Sequence, residues 1–70
     1  MVNQMVLSRD IEWIGYEAKR QMLQVEFIEG PVYQYQPVAE TVYQEFLKAP
    51  SHGRFFENRI KNHYSCKRVR

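Results

Sequence analysis

The sequence predicts an α+β domain: a three-stranded antiparallel meander followed by two short helices packed on one of its faces. In the first half of the chain apolar and polar residues alternate, which is the period of a half-buried strand. From Pro37 onward the apolar residues recur at helical spacing. A chain of 70 residues makes one small domain. Strands first and helices second is the order of an α+β fold rather than of alternating β and α units.

The first strand runs from Ile11 to Ala18, with Ile11, Trp13 and Gly15 on one side and Ile14 and Tyr16 on the other. The polar run Lys19-Arg20-Gln21 is short enough for a hairpin turn. Met22 to Ile28 alternates more cleanly, Leu23, Val25 and Phe27 against Gln24 and Glu26. Glu29-Gly30-Pro31 signals the next turn. Val32 to Gln36 is the third strand, with Tyr33 and Tyr35 on one side. Hairpin connections of this length make the three strands antiparallel neighbours.

Pro37 suits the first turn of a helix, where a missing N–H costs nothing. Val38, Ala39, Val42, Tyr43, Phe46 and Leu47 then share one face, while Glu40, Gln44, Glu45 and Lys48 share the other. Glu40 near the start and Lys48 near the end both suit the helix dipole, and Pro50 stops the helix. Ser51 can cap a second helix, in which Phe56, Ile60 and Tyr64 form a narrow apolar seam. The domain therefore spans residues 1–70, with a core over 8–64 and a flexible basic tail over 65–70.

A chain this short buries only about 60% of its extended surface. One cysteine cannot form an internal disulfide, and no Cys/His cluster has the spacing of a zinc site, so no cofactor or metal is expected. Ten aromatic residues help to build the core, since each ring covers a large apolar area. No apolar run approaches the roughly 20 residues that span a bilayer, and Met1 to Ser8 lacks the charge pattern of a signal peptide. With the lone Cys66, this leads us to expect a cytoplasmic protein away from membranes.

Charge is unevenly placed. Residues 1–50 hold four bases against seven acids, a net −3, and residues 51–70 hold six bases against Glu57 alone, a net +5. Such asymmetry marks either an anionic partner or a solubilising end.

The order Ile14-Gly15-Tyr16, Leu23-Gln24-Val25-Glu26-Phe27, Tyr33-Gln34-Tyr35, Val42-Tyr43-Gln44-Glu45-Phe46 and Ser51-His52-Gly53-Arg54-Phe55-Phe56, closed by Ile60 and Tyr64, resembles the KTSC family. These are small bacterial and phage domains named for an appendage at the C-terminus of some lysyl-tRNA synthetases. The resemblance covers roughly residues 8 to 64. It implies an RNA-binding role, through the attachment to a tRNA enzyme, and Tyr33 and Tyr35, if exposed, would make single-stranded RNA a partner as well as tRNA. The resemblance does not extend to a synthetase catalytic domain, so tRNA charging is not expected of these residues.

No residue set suggests catalysis. Cys66 follows His63 by three residues, and Lys67 and Arg68 would favour its thiolate, but the tail offers no preorganised site. Binding has better candidates. Ser51, Gly53 and Arg54 either cap and pack a helix start or hold a phosphate there. Tyr33 and Tyr35 are either core rings or a stacking platform for bases. Phe55 and Arg59, one turn apart, either pack, Phe55 on the sheet with Arg59 lying over it, or stack on a base and neutralise a phosphate. Lys61, Lys67, Arg68 and Arg70 add phosphate contacts. The expected function is thus a non-enzymatic RNA-binding module using the second helix and tail. The rival is a protein-interaction or self-association module, in its simplest form a homodimer joined through an exposed sheet edge.

Overall fold

The computed structural model describes residues 2–5 as backbone and residues 10–70 in full. The expected start of the core at residue 8 lies outside the described residues. The fold is α+β, as expected: β1 (Val2–Met5), β2 (Ile11–Glu17), β3 (Met22–Phe27), β4 (Val32–Gln36), α1 (Glu40–Lys48), α2 (His52–Phe55) and β5 (Ser65–Arg68). A π-helical turn, Phe56–Ile60, continues α2 without a break. The sheet runs β1-β2-β3-β4-β5 with every neighbouring pair antiparallel. The expected meander is its centre, and one strand is added on each side.

The expected flexible tail over 65–70 is therefore corrected. Ser65 to Arg68 pairs with β4, Gln36 opposite Ser65 and Tyr33 opposite Arg68. The pairing continues past the strand, since the Val69 N–H donates to the Val32 carbonyl at 2.8 Å and the Val32 N–H to the Arg70 carbonyl at 3.0 Å. The reason is the open edge of β4, whose backbone groups need partners. All four β5 residues are exposed, so their side chains carry no apolar pattern to announce a strand.

Register sorts the side chains. Tyr16, Leu23, Tyr35 and Cys66 form one cross-strand row on the helix side, and Ile14, Val25, Tyr33 and Arg68 form the next. An irregularity between Ile11 and Trp13 sets Ile11 opposite Phe27. Ile11 therefore joins the helix-side core at 1% exposure, where strict alternation had grouped it with Trp13. An extra residue shifts the side-chain phase by one, as a bulge does. Trp13 pairs with Glu26 and lies on the opposite face. That face also carries the row Gly15, Gln24, Gln34 and Lys67, with the Gln34 amide donating to the Gln24 side-chain oxygen at 3.0 Å.

The first helix starts later than Pro37. Ala39 is still extended, and α1 begins at Glu40; the Gln36–Pro37 peptide is cis. Val38 is fully buried and held by two hydrogen bonds, its N–H donating to the Gln21 carbonyl at 2.7 Å and its carbonyl accepting from the Tyr16 hydroxyl at 2.6 Å. A residue tied into the β2–β3 turn in this way cannot also begin the helix. Tyr43 and Phe46 are the buried side of α1, and Tyr43 stacks on Tyr16 at 4.8 Å between centroids. The second helix does begin at Ser51, whose hydroxyl accepts from the Arg54 N–H at 3.2 Å. A cap of this kind contributes about 0.5–2 kcal/mol. Phe56 and Ile60 are buried, as the seam predicted. The helix ends at Ile60, short of Tyr64. The Lys61 N–H closes on the Phe56 carbonyl at 2.8 Å, and Asn62 then takes φ 65°, a left-handed conformation that asparagine tolerates. This reversal aims the chain back along β4.

Candidate nucleic-acid interface

Four of the expected site residues converge. Ser51, Arg54, Phe55 and Arg59 border one shallow depression of about 380 Å³, together with Pro50 and Asn58. Phe55 makes two contacts. It stacks on Phe46 at 5.2 Å with 13° between planes, and the Arg59 guanidinium lies over the ring, 5.1 Å from its centre. Phe55 thus supports Arg59 rather than offering a bare ring to a base. Such a cation–π contact contributes about 0.5–1 kcal/mol at an exposed site. Arg59 also meets Glu45 at 3.2 Å, both half-exposed. Exposed pairs are worth about 0–1 kcal/mol, so a phosphate can compete for this guanidinium. Arg54 is exposed and makes no ion pair among the described residues.

The remaining basic residues diverge. Lys61 meets Glu57 at 3.7 Å on the flank of the π-helical turn nearest the sheet. Arg70 reaches Glu26 at 3.0 Å and Lys67 stands opposite Gln34, both on the face away from the helices. Arg68 shares the helix-side row of Tyr33, its Nε donating to the Arg70 carbonyl at 3.2 Å. The basic C-terminal third is therefore several surfaces. Strand alternation sends neighbouring residues of β5 to opposite sides, which a loose tail would not have done.

Tyr33 and Tyr35 lie on the helix side, and both line a larger cleft of about 630 Å³. Its base is the buried pair Tyr35 and Phe56, in edge-to-face contact at 5.7 Å. Phe27 meets Phe56 at 5.4 Å and Tyr33 at 5.7 Å, again edge to face. Tyr64 completes the walls, half-buried and with no ring contact among the described residues. Exposed Asp10, Glu29, Lys61 and Asn62 form the rim, with Cys66 at the β5 side. Tyr35 is thus core and Tyr33 half-core. Phe27, Phe56, Asn62 and Tyr64 are site residues that the sequence reading did not single out. The available signal was the aromatic at Tyr64 just after the turn-forming Asn62.

Burial raises the pKa of the Tyr35 hydroxyl well above the ordinary tyrosine value, helped by a hydrogen bond with Cys66 and by nearby Tyr33 and Glu57. Burial also raises Tyr43, and burial with the Glu40 charge raises Tyr16. The folded state therefore keeps protons that the unfolded state releases above its ordinary value of about 10. Stability from these groups is full below pH ~10 and is lost as pH rises through the folded-state values. The urea midpoint should be lower at pH 11 than at pH 8, and Tyr35→Phe should lose less between the two. Equal losses in both proteins would show that Tyr35 takes no part.

Among the described residues no group of three or more His, Cys, Asp or Glu is placed to hold a metal, and no helix is long and apolar enough to cross a membrane.

The chain is similar to known proteins. The KTSC domain model matches residues 7–64. The crystal structure of a KTSC domain protein from Yersinia pestis superposes with a TM-score of 0.92 at 38% identity, covering 99% of this chain and 97% of that one. An uncharacterized protein of Stutzerimonas stutzeri is 38% identical over 63 residues, 89% of each chain. A lysine–tRNA ligase of Nostoc punctiforme is 36% identical over 59 residues, which are 84% of this chain and 10% of the ligase. One from Trichormus variabilis is 39% identical over 54 residues, again 10% of its length. The chain thus spans about a tenth of the ligases it matches.

Proposed function

The chain belongs to the KTSC domain family, and from that premise we propose that it is a small RNA-binding module that binds rather than catalyses. The observation that carries this reading is the meeting of Ser51, Arg54, Phe55 and Arg59 around one depression. A ring-supported guanidinium stands there beside a second one with no ion pair among the described residues, which suits phosphates along a single strand. Lys61, in its exposed pair with Glu57, stands apart from this depression at the rim of the cleft and offers a further, separate phosphate contact. Likeness to a segment of enzymes named for their action on tRNA supports RNA as the anion.

The edge-paired homodimer has less behind it. Five strands and a continuous ring cluster give the sheet a core of its own, and edge strand β5 carries Lys67 and Arg68, charges that discourage strand addition. Titration of tRNA and of a single-stranded RNA at low and high salt tests the RNA reading. No binding to either at low salt would sink it.

A further inference from the structure

We propose that the aromatic cleft is a pocket for one nucleotide, its base stacked on Tyr64 and its phosphate at Lys61. The proposal deepens the RNA reading and rests on it. It stands on a different part of the surface, on the sheet side of the helix that carries Arg54 and Arg59.

Four of the cleft's five rings are already committed. Tyr33, Phe27, Phe56 and Tyr35 form a chain of edge-to-face contacts between 5.4 and 5.7 Å, which fixes the shape of the walls. Tyr64 faces the same space with no ring partner among the described residues. A planar group laid on Tyr64 would find the site already ordered, and preorganisation lowers the cost of binding. The volume of about 630 Å³ falls within the ~300–1,000 Å³ usual for small-ligand sites.

The rim narrows the chemistry. Among the described residues it has one cation, Lys61, and two carboxylates, Asp10 and Glu29. Lys61 can meet one phosphate, and the carboxylates oppose a polyphosphate. Among the described residues Lys61 has only the exposed pair to Glu57 at 3.7 Å, weak enough for a phosphate to displace. The Glu29 carboxylate can accept from an exocyclic amino group, as Asp and Glu do from cytosine N4. Asn62 can donate and accept, and its left-handed backbone, φ 65°, is what sets Lys61 and Tyr64 on either side of the turn. Amino-bearing bases should therefore bind better than uracil.

The test is an NMR titration of the full chain with AMP, GMP, CMP and UMP, and separately with a single-stranded RNA. The pocket predicts shifts of Tyr64, Tyr33 and Asn62 signals, with UMP weakest. Tyr64→Leu, which keeps apolar bulk but removes the stacking face, should weaken binding at least about fivefold, and Tyr64→Phe should not. Lys61→Glu should weaken AMP but not adenosine. Unchanged spectral dispersion would show that each variant is folded. If RNA binds with shifts confined to Arg54, Phe55 and Arg59, the pocket is overturned and the RNA reading survives. If nucleotides shift the cleft while no RNA binds, the pocket stands and the RNA reading fails. No response to any nucleotide overturns the pocket.

Discussion

Phe46→Ala should leave much of the protein unfolded. Phe46 is fully buried, and removing a core phenylalanine costs about 3–5 kcal/mol. A chain of 70 residues holds roughly 3.5–10 kcal/mol in all, at ~0.05–0.15 per residue. The substitution therefore removes between a third and all of it. In a domain of this size each kcal/mol is about 4–8 °C, so the midpoint of thermal unfolding by circular dichroism should fall by at least 12 °C or so. A drop of only a few degrees would contradict the central place given to this ring. The damage also reaches the surface. Phe55 stacks on Phe46 and Arg59 rests on Phe55, so whatever fraction stays folded should present Arg59 less well.

The second large effect is in salt. If Arg54, Arg59 and Lys61 each neutralise one phosphate of a single strand, log K should fall with log salt at a slope of about −2. Between 50 and 200 mM salt, affinity for a single-stranded RNA then drops roughly twentyfold. Arg54→Ala with Arg59→Ala leaves one contact and a change of about two- to threefold over the same range. Lys67→Ala and Arg70→Ala, on the opposite sheet face, should alter neither affinity nor slope. Fluorescence anisotropy at four salt concentrations measures all of this. A flat salt profile for the unsubstituted protein would rule out phosphate contacts by this patch.

Part of this architecture is plain in the sequence. The alternation of Leu23, Val25 and Phe27 and the helical recurrence of Val42, Tyr43 and Phe46 each reflect one buried face, so local pattern and tertiary position agree. β5 is different. Ser65, Cys66, Lys67 and Arg68 bury nothing, and their strand exists because β4 has an unsatisfied edge. That need is written thirty residues earlier in the chain, where no local window sees it. Ile11 was misplaced for a related reason, since a bulge changes phase without changing composition. The patch around Phe55 was legible because its residues share one helix. The cleft was not, because it is assembled from β3, β4, the π-helical turn and β5, and its rings look like ordinary core until the register is known.

Trp13 gives the molecule a spectroscopic division of labour. The one tryptophan lies on β2 beside Glu26, on the face away from the helices, while the cleft is walled by tyrosine and phenylalanine. Its emission should follow the making and breaking of the sheet and stay constant as a ligand fills the cleft. Tyrosine emission, excited at shorter wavelength, should respond to both, so a tyrosine change without a tryptophan change marks binding alone. One cuvette can thus separate loss of folding from loss of binding for every substitution considered above.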